Sequence, residues 1–180
     1  MNIVTVNSND IAVTSKFAKE VFTDYYLDLL GIEQCNYMTE LFLSESAIRK
    51  LMDKGAVFRL LYEDDKIIGF TEFIKEENRV FLSKLYLDKN YRHQGYGRIL
   101  FDDCVRYTKD NNLNKIYLTV NKYNTPSFEI YKHLGFKVID SVVSDIGNGY
   151  VMDDYVMELS LQQEKARLSL FLFYLLLEDC

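Results

Sequence analysis

The run Leu85-Tyr86-Leu87-Asp88-Lys89-Asn90-Tyr91-Arg92-His93-Gln94-Gly95-Tyr96-Gly97-Arg98 leads from an apolar strand pattern into a helical one through a turn with two glycines one residue apart. Glycines at that spacing let the backbone come close to a ligand and aim successive N–H groups at an anion, while the new helix adds the positive end of its dipole. Arg92 and Arg98 bring positive side chains to the same turn. The chemistry this suggests is phosphate binding, although any strand-to-helix turn has a use for glycine. Farther on, Asn124 caps a second short helix whose first turn holds Pro126, the one proline of the chain, where its missing N–H does no harm. The two histidines, His93 in the turn and His133 beside the second helix's stop, read as local loop and cap residues. Neither has a second ligand at helical or strand spacing, so no metal is expected. Cys35, Cys104 and Cys180 are an odd set without a CxxC pair, which indicates neither a disulfide framework nor a cysteine zinc site; Cys104 is expected in the core.

These turns need elements to hold them, and the hydrophobic periods supply the order β-α-α-β-β-β-α-β-α-β-β. A short strand at 3–6 is followed by a helix capped by Asp10 and running to about Tyr26, then by a helix from Ser44 or Ser46 to Gly55. Strands at 57–63, 67–74 and 80–87 form an antiparallel meander. A helix over about 95–111 presents Ile99, Leu100, Cys104 and Tyr107 on one face. A buried strand at 116–120 leads to the Asn124 helix, which Gly135 stops; strands at 136–143 and 150–159 close the domain around the Gly147-Asn148-Gly149 turn. The expected fold class is α/β, one domain over 1–162 with a mixed, mostly antiparallel sheet of about seven strands and helices on both faces. Residues 163–180 form an apolar extension, expected to be helical and covered by the domain or by another chain.

Composition bounds the rest. With 180 residues, 48% hydrophobic and 27% charged, the chain has the make-up of one globular domain, and 8 Gly with 1 Pro exclude collagenous or low-complexity segments. The N-terminus shows neither a signal nor a transit pattern. The apolar run at 168–177 falls short of the roughly 20 residues a spanning helix requires, and a soluble, cytoplasmic protein is expected. The net charge of −6 disfavours nucleic acid, which is bound through a basic face. All of that charge resides in one window: Glu20, Asp24, Asp28, Glu33, Glu40 and Glu45 stand between Glu20 and Ile48 without a lysine or arginine. From Lys84 to Lys122, eight basic residues face four acidic ones. Two surfaces of opposite preference are suggested.

Arg92-x-x-Gly95-x-Gly97 resembles the R/Q-x-x-G-x-G/A pyrophosphate loop of the GNAT superfamily of acetyl-CoA-dependent N-acetyltransferases, and it lies, as in that family, after the fourth strand and before the third helix. Asn124-Thr125-Pro126-Ser127-Phe128-Glu129-Ile130-Tyr131-Lys132-His133-Leu134-Gly135-Phe136 resembles the second signature, an Asn-led helix ending in Tyr-x-x-x-Gly-Phe. The resemblance spans residues 1–160 and implies that acetyl-CoA is the cosubstrate. Its pyrophosphate would lie on the loop of Arg92, His93, Gln94, Gly95, Tyr96, Gly97 and Arg98. Its pantetheine arm would lie between the fourth and fifth strands, against the main chain of Tyr86 and Leu87, with Asn124 on the far side.

The reaction so implied is direct attack of an amine on the thioester. Tyr131 matches the family's general acid, a phenol of pKa about 10 that stays protonated at neutral pH. A backbone N–H near Leu87 would polarise the carbonyl. For the base, Glu72 stands out as a polar residue in an apolar strand, with Ser83, Tyr86 or ordered water as alternatives. The segment between the first two strands forms a wall of the acceptor site in this family, and here it is the acidic window; Asp24, Asp28, Glu33 or Glu40 would concentrate a polycation. The stretch Asn36-Tyr37-Met38-Thr39-Glu40-Leu41-Phe42 is similar to bacterial polyamine acetyltransferases of the PaiA type. Spermidine or spermine is the leading acceptor, then a protein N-terminus or lysine, then an aminoglycoside. A non-catalytic acetyl-CoA-binding module is the reading from another class. Edge strands and the apolar tail suggest a homodimer.

Overall fold

The computed structural model describes residues 1–161, so the expected boundary at 162 and the apolar extension at 163–180 lie outside the described residues. The chain forms β1 (Asn2–Thr5), α1 (Ile11–Leu43), α2 (Glu45–Asp53), β2 (Ala56–Glu63), β3 (Lys66–Lys75), β4 (Val80–Leu87), a 3-10 turn (Lys89–Tyr91), α3 (Tyr96–Asp110), β5 (Lys115–Asn121), α4 (Thr125–His133), β6 (Lys137–Gly147) and β7 (Tyr150–Ser160). The strands make one sheet in the order β1-β2-β3-β4-β5-β7-β6. Every neighbouring pair is antiparallel except β4 and β5.

That one parallel pair requires a crossover, supplied by α3, and α4 carries the chain from β5 past β7 to β6. Successive right-handed crossovers in one direction place both helices on one face. Accordingly Phe101 and Cys104 of α3 share a core with Phe73, Ile116, Leu118, Met157, and Phe128 and Tyr131 of α4. The opposite face is covered by α1 and α2, whose Ile11, Ala18, Phe22, Met38 and Ile48 pack on Phe58, Leu60 and Phe70.

Two expectations need correction. The helix after β1 does not stop near Tyr26 but continues to Leu43, broken at Gly31, whose φ of 76° and ψ of 163° only glycine adopts without strain. Its second arm is held by buried Cys35, Met38, Thr39 and Leu43 at helical spacing. In α3 the buried face is Leu100, Phe101, Cys104 and Thr108, while Ile99 is exposed. The Asn148-Gly149 turn has positive φ at both residues, 54° and 77°, which matches the twist of the β6–β7 hairpin. Tyr37 of α1 holds the hairpin tip, donating to the Ile146 carbonyl at 2.6 Å.

Candidate active site

A bulge creates the site. Along β3 and β4, Glu72 pairs with Lys84 and Phe73 with Leu82, so Ser83 is an extra residue that bends β4. Next to this bend β4 and β5 pair only at Val80–Ile116 and Phe81–Tyr117, and the rest of β4 parts from β5. Main-chain groups of alternate residues on β4 point to opposite neighbours. Lys84 turns its carbonyl to Thr71 Oγ1 of β3 (2.6 Å), and the Asp88 amide donates to the Ile68 carbonyl (2.9 Å). By the same alternation Tyr86 offers its main chain to β3, and Leu85 and Leu87 face the cleft. This corrects the expectation for Tyr86, whose main chain is committed to the sheet; its ring lies on the α1 face, stacked on Phe70 at 5.6 Å.

The glycine turn lies beyond the open end of β4. His93 and Gly95 both have left-handed backbone, φ 62° and 87°, and Gly95 is the residue from which α3 starts. No group among the described residues accepts from the amides of His93, Gln94, Gly95 or Tyr96. The side chains are mostly occupied elsewhere: Tyr96 Oη donates to Glu63 (2.8 Å), Gln94 to the Asn90 carbonyl (2.8 Å), and Arg98 Nε to Asp102 (2.7 Å). What this turn offers an anion is therefore backbone N–H. A Cβ on Gly97 would meet Leu87 and Leu85 only at 3.6 and 3.9 Å, so the protein's own packing does not demand glycine there; close approach of a ligand would.

The acidic window and the basic turn meet at one carboxylate. Asp24 of α1 takes Lys89 Nζ at 2.9 Å and Arg92 Nη2 at 3.0 Å, while Arg92 Nε donates to the Leu87 carbonyl and its guanidinium lies 5.1 Å from the Tyr25 ring. Glu40 is engaged by Lys19. Asp28 and Glu33 are exposed.

The inner end of the cleft is lined by tyrosines that the sequence did not bring together. Asn124 caps α4, its Oδ1 accepting from the Ser127 amide (3.3 Å), and the same oxygen accepts from Tyr25 Oη (2.9 Å). Its Nδ2 donates to Tyr26 Oη (3.3 Å). The Tyr26 ring in turn meets the Tyr86 ring edge-on, 6.2 Å between centroids. Burial pushes the phenols of Tyr26, Tyr86 and Tyr131 upward; Tyr25 and Tyr26 add to the effect at Tyr131, where no hydrogen bond contributes. Tyr131 is thus a neutral phenol whose hydroxyl has no hydrogen-bond partner among the described residues, able to donate. Glu72 is 2% exposed and bound to Lys84 Nζ, which also donates to Ser83 Oγ. It does not stand free as a base: this pair braces the bulge, and disrupting it would leave a buried charge unpaired. A separate cavity of about 480 Å³ between α1 and α2, lined by Tyr37, Leu41, Phe42, Ala47 and Leu51 among others, shares no residue with the cleft.

Residues 18–136 match the family model described as acetyltransferase (GNAT) family. The chain belongs to this family of acyltransferases, whose acetyl donor is acetyl-CoA. It is 30% identical over 125 residues to the spermidine N(1)-acetyltransferase of Thermoplasma acidophilum, covering 69% of this chain and 76% of that protein. It is 26% identical over 96 residues to the probable N-acetyltransferase san of Drosophila melanogaster, covering 51% of this chain. The match spans about half the length of the Drosophila protein, 52%. Among solved structures, the PaiA N-acetyltransferase of Thermoplasma acidophilum in complex with coenzyme A superposes with a TM-score of 0.73 at 22% identity, over 89% of this chain and 99% of that one. The GCN5-related N-acetyltransferase from Rhodopseudomonas palustris gives 0.74 at 16% identity, over 89% and 95%. These superpositions show that the GNAT fold is shared. No helix among the described residues is long and apolar enough to cross a membrane.

Proposed function

We propose that this protein transfers acetyl from acetyl-CoA directly to a primary amine, and that the acceptor is a small polycation of the polyamine class. The observation that carries the proposal is the cleft where β4 leaves β5, with unpartnered turn amides at one end and the Tyr131 phenol at the other. Bound acetyl-CoA supplies an acetyl group activated as a thioester. The amides of the 93–97 turn would hold the pyrophosphate, with Arg92 and Arg98 nearby, and the main chain of Leu85 and Leu87 would hold the arm as a strand does. Tyr131 donates to the departing sulfur. Asn124 acts by fixing Tyr25 and Tyr26, because its side-chain groups are taken by them and by Ser127.

A polycationic acceptor is supported by similarity to a spermidine acetyltransferase and by the exposed carboxylates of Asp28 and Glu33 on α1. A homodimer belongs to the same proposal, supported by Val138, Ile139, Val142 and Val143, exposed along the edge strand β6. The test is release of free thiol from acetyl-CoA with spermidine and with a Met-led peptide. Faster release with spermidine is expected. Preference for the peptide would move the acceptor to a protein N-terminus or lysine, and tight CoA binding without release for any amine would leave a non-catalytic binding module.

A further inference from the structure

Asp154 of β7 is a carboxyl only 4% exposed, yet it makes no ion pair among the described residues. It pairs across the sheet with Asn121, four residues past the last β5 residue still joined to β4; Tyr86 lies five residues past the last paired residue of β4. At about 3.3 Å per residue both positions stand roughly 13–17 Å beyond the point where the strands part, so Asp154 and Tyr86 are level across the cleft. Side chains alternate along β7. Tyr155 packs on Phe128 of α4 at 5.4 Å, which turns Asp154 to the α1 face, where Met152 packs. There it is close enough to Tyr26 to help raise that phenol, and the Tyr26 ring meets that of Tyr86 edge-on at 6.2 Å.

We propose that Asp154 receives the acceptor's ammonium and takes its proton. The inference rests on the acetyltransferase function proposed above. The groups around the carboxyl suit the role. Burial lifts it above its ordinary value; Thr119 of β5, on the same face two residues along from its ladder partner Asn121, pulls it back, Asp153 raises it and Lys122 lowers it. Lys122 is itself paired with Asp153 and so does not neutralise Asp154. Tyr26 faces it from α1, and β6 presents only Val142 opposite. Glu72, by contrast, already holds an ammonium in Lys84.

An alkylamine enters as an ammonium and cannot attack until it loses a proton. That proton passes to Asp154. The nitrogen lone pair then forms the N–C bond to the acetyl carbonyl carbon and the C–S bond breaks. The second nitrogen proton balances the thiolate through Tyr131, and Asp154 returns its proton to water. One ammonium and one thioester thus give one amide, one thiol and one proton.

The experiment compares kcat/KM at pH 7 for spermidine and for 2,2,2-trifluoroethylamine, an amine already neutral there, in the wild type, Asp154→Asn and Thr119→Val. Asp154→Asn should lose about 10²–10⁴-fold with spermidine, far less with the neutral amine, and keep its affinity for acetyl-CoA. Thr119→Val removes the neighbouring hydroxyl that holds the carboxyl down, so the acid limb of the spermidine pH profile should move to higher pH. Equal losses with both amines, no loss, or an unmoved acid limb would overturn the assignment. If Asp154→Asn does not fold, the Thr119→Val limb decides. A wild type that acetylates neither amine would refute the acetyltransferase proposal itself, and this inference with it.

Discussion

Replacing Asn124 with alanine removes three bonds at the point where α4, α1 and the cleft meet. The Ser127 amide loses its cap, Tyr26 loses a donor, and Tyr25 keeps only its 2.7 Å contact with Ser127 Oγ. A lost cap costs about 1 kcal/mol, and two partly buried neutral hydrogen bonds cost about 1 kcal/mol each. The expected destabilisation is therefore about 3 kcal/mol, which for a domain of this size lowers Tm by roughly 6–12 °C. Asn124→Ser keeps a cap oxygen for the Ser127 amide without adding a charge and loses both tyrosine bonds, so about 2 kcal/mol is expected. Urea unfolding followed by circular dichroism measures both, and an unchanged m-value ensures that the midpoints report stability. An alanine variant within about 0.5 kcal/mol of the wild type, a difference typical of an ordinary surface substitution, would refute the network. So would a serine variant as damaged as the alanine one, since the cap would then contribute nothing.

The two glycines of the turn should separate by stability and binding. Gly95→Ala places a Cβ at φ 87°, which costs about 1–2 kcal/mol, and it should also weaken acetyl-CoA binding by calorimetry; Gly97→Ala should leave the melting curve nearly unchanged and weaken binding alone. Asp154 sets a pH dependence of known sign. Its folded-state pKa is raised, so the stability it permits is fully present below the unfolded value of about 3.9 and is lost as pH rises through the folded value. Asp154→Asn should therefore melt above the wild type at pH 8, with the gap closing toward pH 3; a gap constant with pH would contradict the burial of a titrating carboxyl.

The parts of this protein legible in its sequence are those encoded locally. The Gly95-x-Gly97 turn, the Asn124 cap with Pro126 in the first helical turn, and the Asn148-Gly149 hairpin each follow from the backbone needs of a few adjacent residues. The alternation of periods was enough to order the strands and crossovers. What was hidden depends on contacts far apart in the chain. Ser83 carries no mark of a bulge, since a serine in a strand is unremarkable and the extra residue exists only relative to β3. Tyr25 and Tyr26 lie about a hundred positions from Asn124. Nothing local marks which main-chain groups of β4 turn to β3, and so that those of Tyr86 are committed to the sheet. Glu72 stood out as polar in an apolar strand, yet that peculiarity is explained by Lys84 directly across the ladder. Asp154 stands beside Asp153 and nothing local distinguishes the two; only the register with Asn121 and the cover of α1 reveal Asp154 as buried.

The central claim is that the tyrosine-lined cleft between β4 and β5 catalyses acetyl transfer to an amine. Thiol release from acetyl-CoA in the presence of spermidine, measured for the wild type and Tyr131→Phe beside their acetyl-CoA dissociation constants, tests it most directly. Turnover by the wild type and a much lower kcat in Tyr131→Phe with nearly the same dissociation constant are expected. Equal turnover in the two proteins, or no turnover in either with acetyl-CoA bound, would contradict it.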